Sequence, residues 1–383
     1  MTPSLDTKLP KVGTTIFTVM SALAQECGAL NLSQGFPDFP APEALIEAVA
    51  RHMRAGANQY APMAGVAALR EAVAAKIAAC YGATVDAVSE VTVTSGATEA
   101  LTDVILAVVR PGDEVIVFDP AYDSYEPAVE LAGGRTVHLA LPAPAFRPDW
   151  DAVAAAIGPR TRLIVINTPH NPTGRVWEAA DLERLAELTR DTGIFILSDE
   201  VYEHIVFDGR RHESVLRYPE LAARAFVVSS FGKTFHATGW KVGYCVAPAA
   251  LTVELRKVHQ YVTFATVTPI QWALADFLRE HPGHWQELPA FYQAKRDRFC
   301  SLLAGSRLRF EPCAGTYFQL LDYSALSAER DVDLARRLTR EAGIASIPVS
   351  VFYEHPPASR YLRFCFAKDD ATLERAGAIL RGL

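Results

Sequence analysis

The chain carries little that would bind nucleic acid, metal or membrane. Its 383 residues hold 37 Lys and Arg against 44 Asp and Glu, a formal net charge of −7, with no basic stripe interleaved with aromatics. That excludes the electrostatic footprint of a nucleic-acid binder. The six cysteines (Cys27, Cys80, Cys245, Cys300, Cys313 and Cys365) are scattered with no C-x-x-C pair. Neither a metal knuckle nor a disulfide framework is indicated, and no metal is expected. They read as buried, reduced thiols of a cytoplasmic protein. No apolar run approaches the roughly 20 residues of a membrane span. The opening Met1 to Asp6 lacks the basic and apolar regions of a secretory signal. What is present is a globular composition, half hydrophobic and 21% charged, with length enough for two domains or one large domain carrying a smaller one.

From about Glu90 to Pro248, short β-branched runs alternate with helical patterns. The strand candidates are Val91–Thr94, Glu114–Phe118, Thr136–Leu141, Leu163–Ile166, Ile194–Leu197, Phe226–Val228 and Lys241–Val246, each bounded by Gly, Pro, Asn or Asp. Several are continuously apolar, as strands covered on both faces are. Between them lie amphipathic stretches such as Ala97–Val109 and Ala180–Asp191, the latter with Leu182, Leu185 and Leu188 at helical spacing. This alternation predicts an α/β fold with a mostly parallel sheet covered by helices. Residues 1–42 read as irregular and proline-bearing. Beyond about 276 come long helices, strands over Leu308–Leu321 and Tyr361–Ala367, and a closing helix over Asp370–Leu383. The expected division is a large domain over 43–275 and a smaller α+β domain built from 1–42 and 276–383.

Sites in open α/β sheets form at the carboxyl ends of strands, and here those ends carry pointed chemistry. Ser95-Gly96-Ala97-Thr98 is a small-residue turn opening a helix, a natural phosphate seat; an ordinary capped helix start reads the same way. It is not the G-x-G-x-x-G of dinucleotide folds. Asp119-Pro120-Ala121-Tyr122 offers an aromatic face, for stacking or for packing. Asn167 to Gly174 is a dense turn. Asp199 follows an apolar run, so its carboxylate is semi-buried and needs a cationic partner. Ser229 to Tyr244 contains Lys233 and then Lys241, framed by serines, threonines and glycines. A buried amine for trapping a carbonyl beside an anion cradle has this appearance, although a lone lysine is more often a solvated surface group. Gly232-Lys233-Thr234 ends like a P-loop, but Val227 stands where that motif needs glycine.

Taken together, these motifs resemble those of a fold-type I pyridoxal-phosphate aminotransferase of class I/II, over about Asn31 to the C-terminus. The closest likeness is to the methionine and kynurenine aminotransferase group. It rests on Asn31-Leu32-Ser33-Gln34-Gly35-Phe36-Pro37-Asp38-Phe39, Asn58-Gln59-Tyr60-Ala61-Pro62, Gly239-Trp240-Lys241-Val242-Gly243, Ile347-Pro348-Val349-Ser350-Val351-Phe352 and Arg363-Phe364-Cys365-Phe366-Ala367-Lys368.

The resemblance implies an aspartate-aminotransferase-like large domain, pyridoxal 5′-phosphate as cofactor, and a homodimer with shared active sites. Lys233 would bind the cofactor as a Schiff base and carry protons, with Asp199 on the ring nitrogen, and Tyr202 and Asn171 on the ring oxygen. Tyr122 would stack on the ring. Ala97, Thr98, Ser230 and Lys241 would hold the phosphate, with Tyr60 reaching it from the neighbouring subunit. Arg363 would clamp the substrate carboxylate, completed by Asn171 and the Gly35 backbone. Phe17 and Phe264 align with pocket aromatics, Phe264 from the partner, and core packing is the rival explanation for both.

The implied reaction is transamination of methionine and aromatic amino acids with a 2-oxo acid acceptor, in two half-reactions. A β-lyase acting on cysteine S-conjugates would use the same lysine and cofactor. A non-catalytic regulator with such a domain would need an added DNA-reading module, and the stretch before Asn31 has no room for one. No second arginine for a distal carboxylate is identifiable, with Arg51, Arg54 and Arg175 left as alternatives. An apolar pocket with broad specificity is expected.

Overall fold

Alternation along each strand organises the structure, a computed structural model that describes residues 5–383. Twelve strands lie in chain order among these residues. They are β1 (Leu30–Asn31), β2 (Val91–Thr94), β3 (Glu114–Asp119), β4 (Arg135–Ala140), β5 (Thr161–Asn167), β6 (Phe195–Asp199), β7 (Ala225–Ser230), β8 (Gly243–Val246), β9 (Phe318–Asp322), β10 (Ile344–Ala345), β11 (Ile347–Pro348) and β12 (Tyr361–Cys365). Seven form one sheet in the order β2-β8-β7-β6-β5-β3-β4. All run parallel except β8, which is antiparallel to both neighbours.

Side chains of period two feed two cores on opposite faces of this sheet. Val115, Val117, Leu163, Val165 and Phe226 pack on one face against Leu101, Val104 and Ile105 of the helix Gly96–Val108. Ile116, Phe118, Ile164, Ile166 and Val227 point the other way, against Leu69 and Val73 of the helix Ala67–Tyr81 and Leu182 and Leu185 of Ala179–Thr189. Burial of both faces explains why these strands read as unbroken apolar runs.

A third core gathers around the small antiparallel sheet β11-β12-β9. Phe364 of β12, Tyr292 and Phe299 of the helix Gly283–Leu302, and Leu373 and Leu380 of the helix Asp370–Arg381 meet there. Met20 and Leu23 join them from the helix Ile16–Cys27, and β1 pairs in parallel with β10. Both chain ends thus build this part of the molecule.

Four details differ from the sequence reading. Residues 1–42 are not simply irregular: Ile16–Cys27 is a helix whose Thr15 side chain accepts from the Thr18 N–H and whose C-cap is Gly28 at φ 60°. Leu308–Leu321 is not one strand. Pro312 and Gly315 interrupt it, Thr316 sits at φ 63°, and only β9 pairs continuously. Lys241 lies before β8 in left-handed backbone at φ 53°. Cys27 is exposed and Cys80 and Cys300 are intermediate, so only Cys245, Cys313 and Cys365 are buried thiols. Among the described residues, no helix is long and apolar enough to cross a membrane.

Beneath the sheet, Lys76 is enclosed with Glu203. Its Nζ lies 2.6 Å from Glu203 Oε1 and 2.6 Å from the Tyr244 hydroxyl, and Tyr81 and Ser229 also donate to Glu203. Burial disfavours both charges, but their mutual attraction keeps Glu203 well below and Lys76 above their ordinary ranges. Removing one partner of such a pair strands the other. Lys76→Met should therefore lower the unfolding free energy by about 3 kcal/mol or more, measured by denaturant titration; an unchanged midpoint would contradict this reading.

Candidate active site

The carboxyl ends of β2, β5, β6 and β7 open into a cavity of about 290 Å³, and local backbone demands explain its shape. Gly96 adopts φ 79° at the start of the helix after β2, a conformation that costs glycine little. A Cβ on Gly243 would come within 2.7 Å of the Ser229 carbonyl and 2.9 Å of the Ala97 nitrogen, so β8 runs flush against this helix start only because the side chain is absent. Ala97, Thr98, Ser230 and Lys241 line the same end of the cavity. Unpaired N–H groups at a helix start, beside a lysine, make an anion seat.

Lys233 projects into the middle of the cavity from the short helix Phe231–Thr234 that follows β7. Its Nζ donates to the Gly35 carbonyl at 3.2 Å and lies 5.6 Å and 5.7 Å from the ring centres of Tyr202 and Tyr317. Burial lowers its pKa to about 8; Arg363 and Lys241 push the same way, while Cys365 and Asp199 oppose them. Asp199 closes β6 and is buried. Its Oδ2 accepts from Tyr125 at 2.7 Å, and its Oδ1 receives only a 3.3 Å contact from the Val201 N–H. Burial raises its pKa to about 6, against the Tyr125 bond. Burial also raises the Tyr202 phenol, so this hydroxyl keeps its proton.

Arg363 sits in mid-strand on β12, opposite Leu320 and Ile347. It is 1% exposed, with its guanidinium 3.9 Å from the Phe318 ring centre and 5.2 Å from that of Phe17. Its two terminal nitrogens donate to Asn171 Oδ1 at 2.7 Å and the Ser33 carbonyl at 2.8 Å. Nε has no partner. Burial lowers its pKa to about 10, which still leaves it charged at neutral pH.

The charges lining this cavity are Lys233, Lys241 and Arg363 against Asp199 alone, in a chain whose net charge is −7. With Arg363 buried, Lys233 partly buried and Lys241 exposed at the rim, this positive excess favours anions. The half-satisfied Asp199 requires a cationic donor instead. A ring with a protonated nitrogen and an appended phosphate meets both demands, so these residues fit pyridoxal phosphate.

All the residues given a role by the resemblance line this cavity except Tyr60 and Phe264. Those two rings pack edge to face at 5.5 Å, with Tyr60 85% exposed, in a separate surface region. Arg51 is paired with Asp276 at 2.9 Å and Arg175 with Glu311 at 2.6 Å, and neither they nor the exposed Arg54 line the cavity. Sequence reasoning missed Tyr125, three residues beyond the Tyr122 of the motif after β3. It also missed Tyr317, which donates to Gly35 at 2.6 Å, and Gln34, which donates to the Phe17 carbonyl and the Ser21 hydroxyl. Nothing local marks these three; they gain meaning only through partners far along the chain.

The sheet and cavity together define an enzyme of the aspartate-aminotransferase fold. The family model for aminotransferase class I and II matches residues 28–380. Methionine aminotransferase from Escherichia coli is 56% identical over 376 residues, covering 98% of this chain and 97% of that protein. Human kynurenine–oxoglutarate transaminase 1 is 34% identical, covering 94% and 93%. The crystal structure of Escherichia coli YbdL, described as having a methionine aminotransferase function, superposes with a TM-score of 0.98 at 56% identity over all of both chains. The chain belongs to the class I and II aminotransferases, whose members use pyridoxal phosphate.

The surroundings of Lys233 make its titration predictable. In cofactor-free protein, acylation of Lys233 followed by peptide mass spectrometry should show a midpoint near 8. Arg363→Gln removes a cation and should raise that midpoint, whereas Asp199→Asn removes an anion and should lower it. A midpoint at the ordinary lysine value of about 10.4 would contradict the described environment.

Proposed function

We propose that this aminotransferase acts on methionine and on aromatic amino acids, with a 2-oxo acid as acceptor and pyridoxal phosphate as cofactor. The observation that carries the reading is the placement of Lys233 in one cavity with the Asp199 carboxylate and the Arg363 guanidinium, where positive charge is in excess.

When bound, pyridoxal phosphate supplies the electron-accepting ring and carbonyl that the chain itself lacks. Lys233 Nζ takes the proton from the substrate's Cα and returns it later, and a pKa near 8 suits a base working at neutral pH. Asp199 Oδ1 would hold a protonated ring nitrogen, while Tyr125 fixes the carboxylate's other oxygen. The Tyr202 hydroxyl and Asn171 would hold the ring's oxygen by hydrogen bonds, and Tyr122 would offer an aromatic face to it. Ala97, Thr98, Ser230 and Lys241 take the phosphate. Arg363 clamps the substrate carboxylate, with Asn171 and the backbone of Gly35 beside it.

We assign a homodimer in which the partner subunit's Tyr60 and the partner subunit's Phe264 complete each site. This is supported by the exposure of both rings, away from their own chain's cavity. The division at 1–42, 43–275 and 276–383 is supported by the cores: Leu45 and Ala275 belong to the large sheet's core, and Leu32 and Leu288 to that of the small sheet, while Phe277 and Leu278 carry the large core a few residues past the boundary.

Methionine is favoured because the cavity wall beside Arg363 is aromatic. Phe17 and Phe318 flank the guanidinium, and Phe352 backs Phe17 at 5.7 Å. The names of the Escherichia coli and human relatives point to methionine and kynurenine. A second carboxylate buried here would lose several kcal/mol without a partner, whereas a thioether gains from contact with aromatic rings. With one shared 2-oxo acid, kcat/KM for methionine should exceed that for aspartate by about 100-fold or more. A preference for aspartate would overturn the specificity and leave the family assignment standing.

A further inference from the structure

Beneath the seat for the phosphate lies a buried charge cluster that the proposed reaction does not use. Glu99 and Asp103, one turn apart on the helix Gly96–Val108, face His259 of the helix Ala249–Val262. The side chains of His259 and Asp103 are 0% exposed.

Hydrogen bonding fixes the state of the imidazole. Nε2 lies 2.9 Å from the Met63 carbonyl, which can only accept, so Nε2 carries a proton. Nδ1 lies 2.7 Å from Glu99 Oε1 and 3.6 Å from Asp103 Oδ2, so it donates as well. The ring is an imidazolium. Burial opposes its charge, but Asp103 and Glu99 raise its pKa to about 9.

The other Glu99 oxygen accepts the N–H of Ser95, the residue that opens the seat. The Ser95 hydroxyl in turn meets Thr266 Oγ1 at 3.1 Å. Neither Asp103 oxygen has a hydrogen-bond partner, and burial, with Glu99 adding to it, raises this carboxyl to about 6. A carboxylate in the first helical turn suits the helix dipole but competes with any anion that binds there. Glu99 also occupies one N–H that could otherwise face that anion. Left charged in a desolvated interior, Glu99 and Asp103 would repel a phosphate.

We propose that His259 is a positioning residue for the phosphate seat: its imidazolium holds Glu99 against the Ser95 N–H and cancels the carboxylate charge beneath the bound anion. The same ring ties the seat to Met63, three residues from Tyr60. The proposal rests on the reading that the seat takes the cofactor's phosphate.

The test separates phosphate binding from everything else the site does. Full-length holoprotein is dialysed to equilibrium over a range of free pyridoxal phosphate, and in parallel over pyridoxal, which lacks the phosphate; bound ligand is read by absorbance. His259→Gln should raise Kd for pyridoxal phosphate about tenfold or more, while Kd for pyridoxal moves less than about twofold. Adding Glu99→Gln to His259→Gln should bring the phosphate form back to within about threefold of wild type, because no Glu99 charge then needs balancing. Glu99→Gln alone keeps an acceptor for Ser95 and should lower Kd for pyridoxal phosphate by about twofold or more. This arm decides the matter if His259→Gln does not accumulate as folded protein, and an unchanged or raised Kd would overturn the proposal. An unchanged phosphate Kd in His259→Gln would overturn it too, as would equal loss of both ligands or a double variant as weak as the single. If wild type binds pyridoxal as tightly as pyridoxal phosphate, the seat reading fails and takes this proposal with it. If wild type discriminates and the variants leave that discrimination intact, this proposal alone fails.

Discussion

Three cations and one carboxylate lining one small cavity, with Arg363 and Asp199 buried, Lys233 partly so and Lys241 at its exposed rim, are the constraint on which the rest of this structure depends. Desolvated charge of one sign is costly, and each member is held by a different part of the fold. Lys233 leaves the end of β7, Asp199 ends β6, Lys241 precedes β8, and Arg363 comes from the separate sheet around β12. No local segment could bring them together. The parallel sheet delivers the first three to one edge, and the small sheet, built from both chain ends, supplies the fourth. The positive excess makes the cavity a seat for anionic ligands.

Buried polar groups around the cavity keep these charges in place. Tyr125 satisfies one oxygen of Asp199, Asn171 and Ser33 hold Arg363, and Gly35 accepts from both Lys233 and Tyr317. Each bond joins residues far apart in the chain, so the site's geometry reports on how the large and small sheets pack together. Gly35 shows how tight that packing is: a Cβ there would approach Phe318 to 2.8 Å.

Much of the large sheet was legible because strands buried on both faces write themselves as unbroken β-branched runs. The carboxyl-end motifs stood out because Ser95-Gly96, Asp199 and Lys233 are expensive to place after apolar strands without a purpose. The helix Ile16–Cys27 was obscured by its proline-bearing surroundings, although Thr15 and Gly28 are recognisable caps. The length of the strand before Arg363's neighbour β9 was overestimated because Pro312 and Gly315 were weighed too lightly against the apolar residues around them. Tyr125 and Tyr317 stayed hidden for a different reason. An aromatic residue looks like packing until its hydroxyl's partner is known.

The central claim is that Lys233, and neither the nearby Lys241 nor another amine, is the group that reacts with a carbonyl compound in this cavity. Borohydride reduction of the protein loaded with pyridoxal phosphate, followed by proteolysis and peptide mass spectrometry, tests it most directly. The account predicts a single phosphopyridoxyl label on the peptide containing Lys233, absent from Lys233→Ala. A label on Lys241, or an equal label in Lys233→Ala, would contradict it.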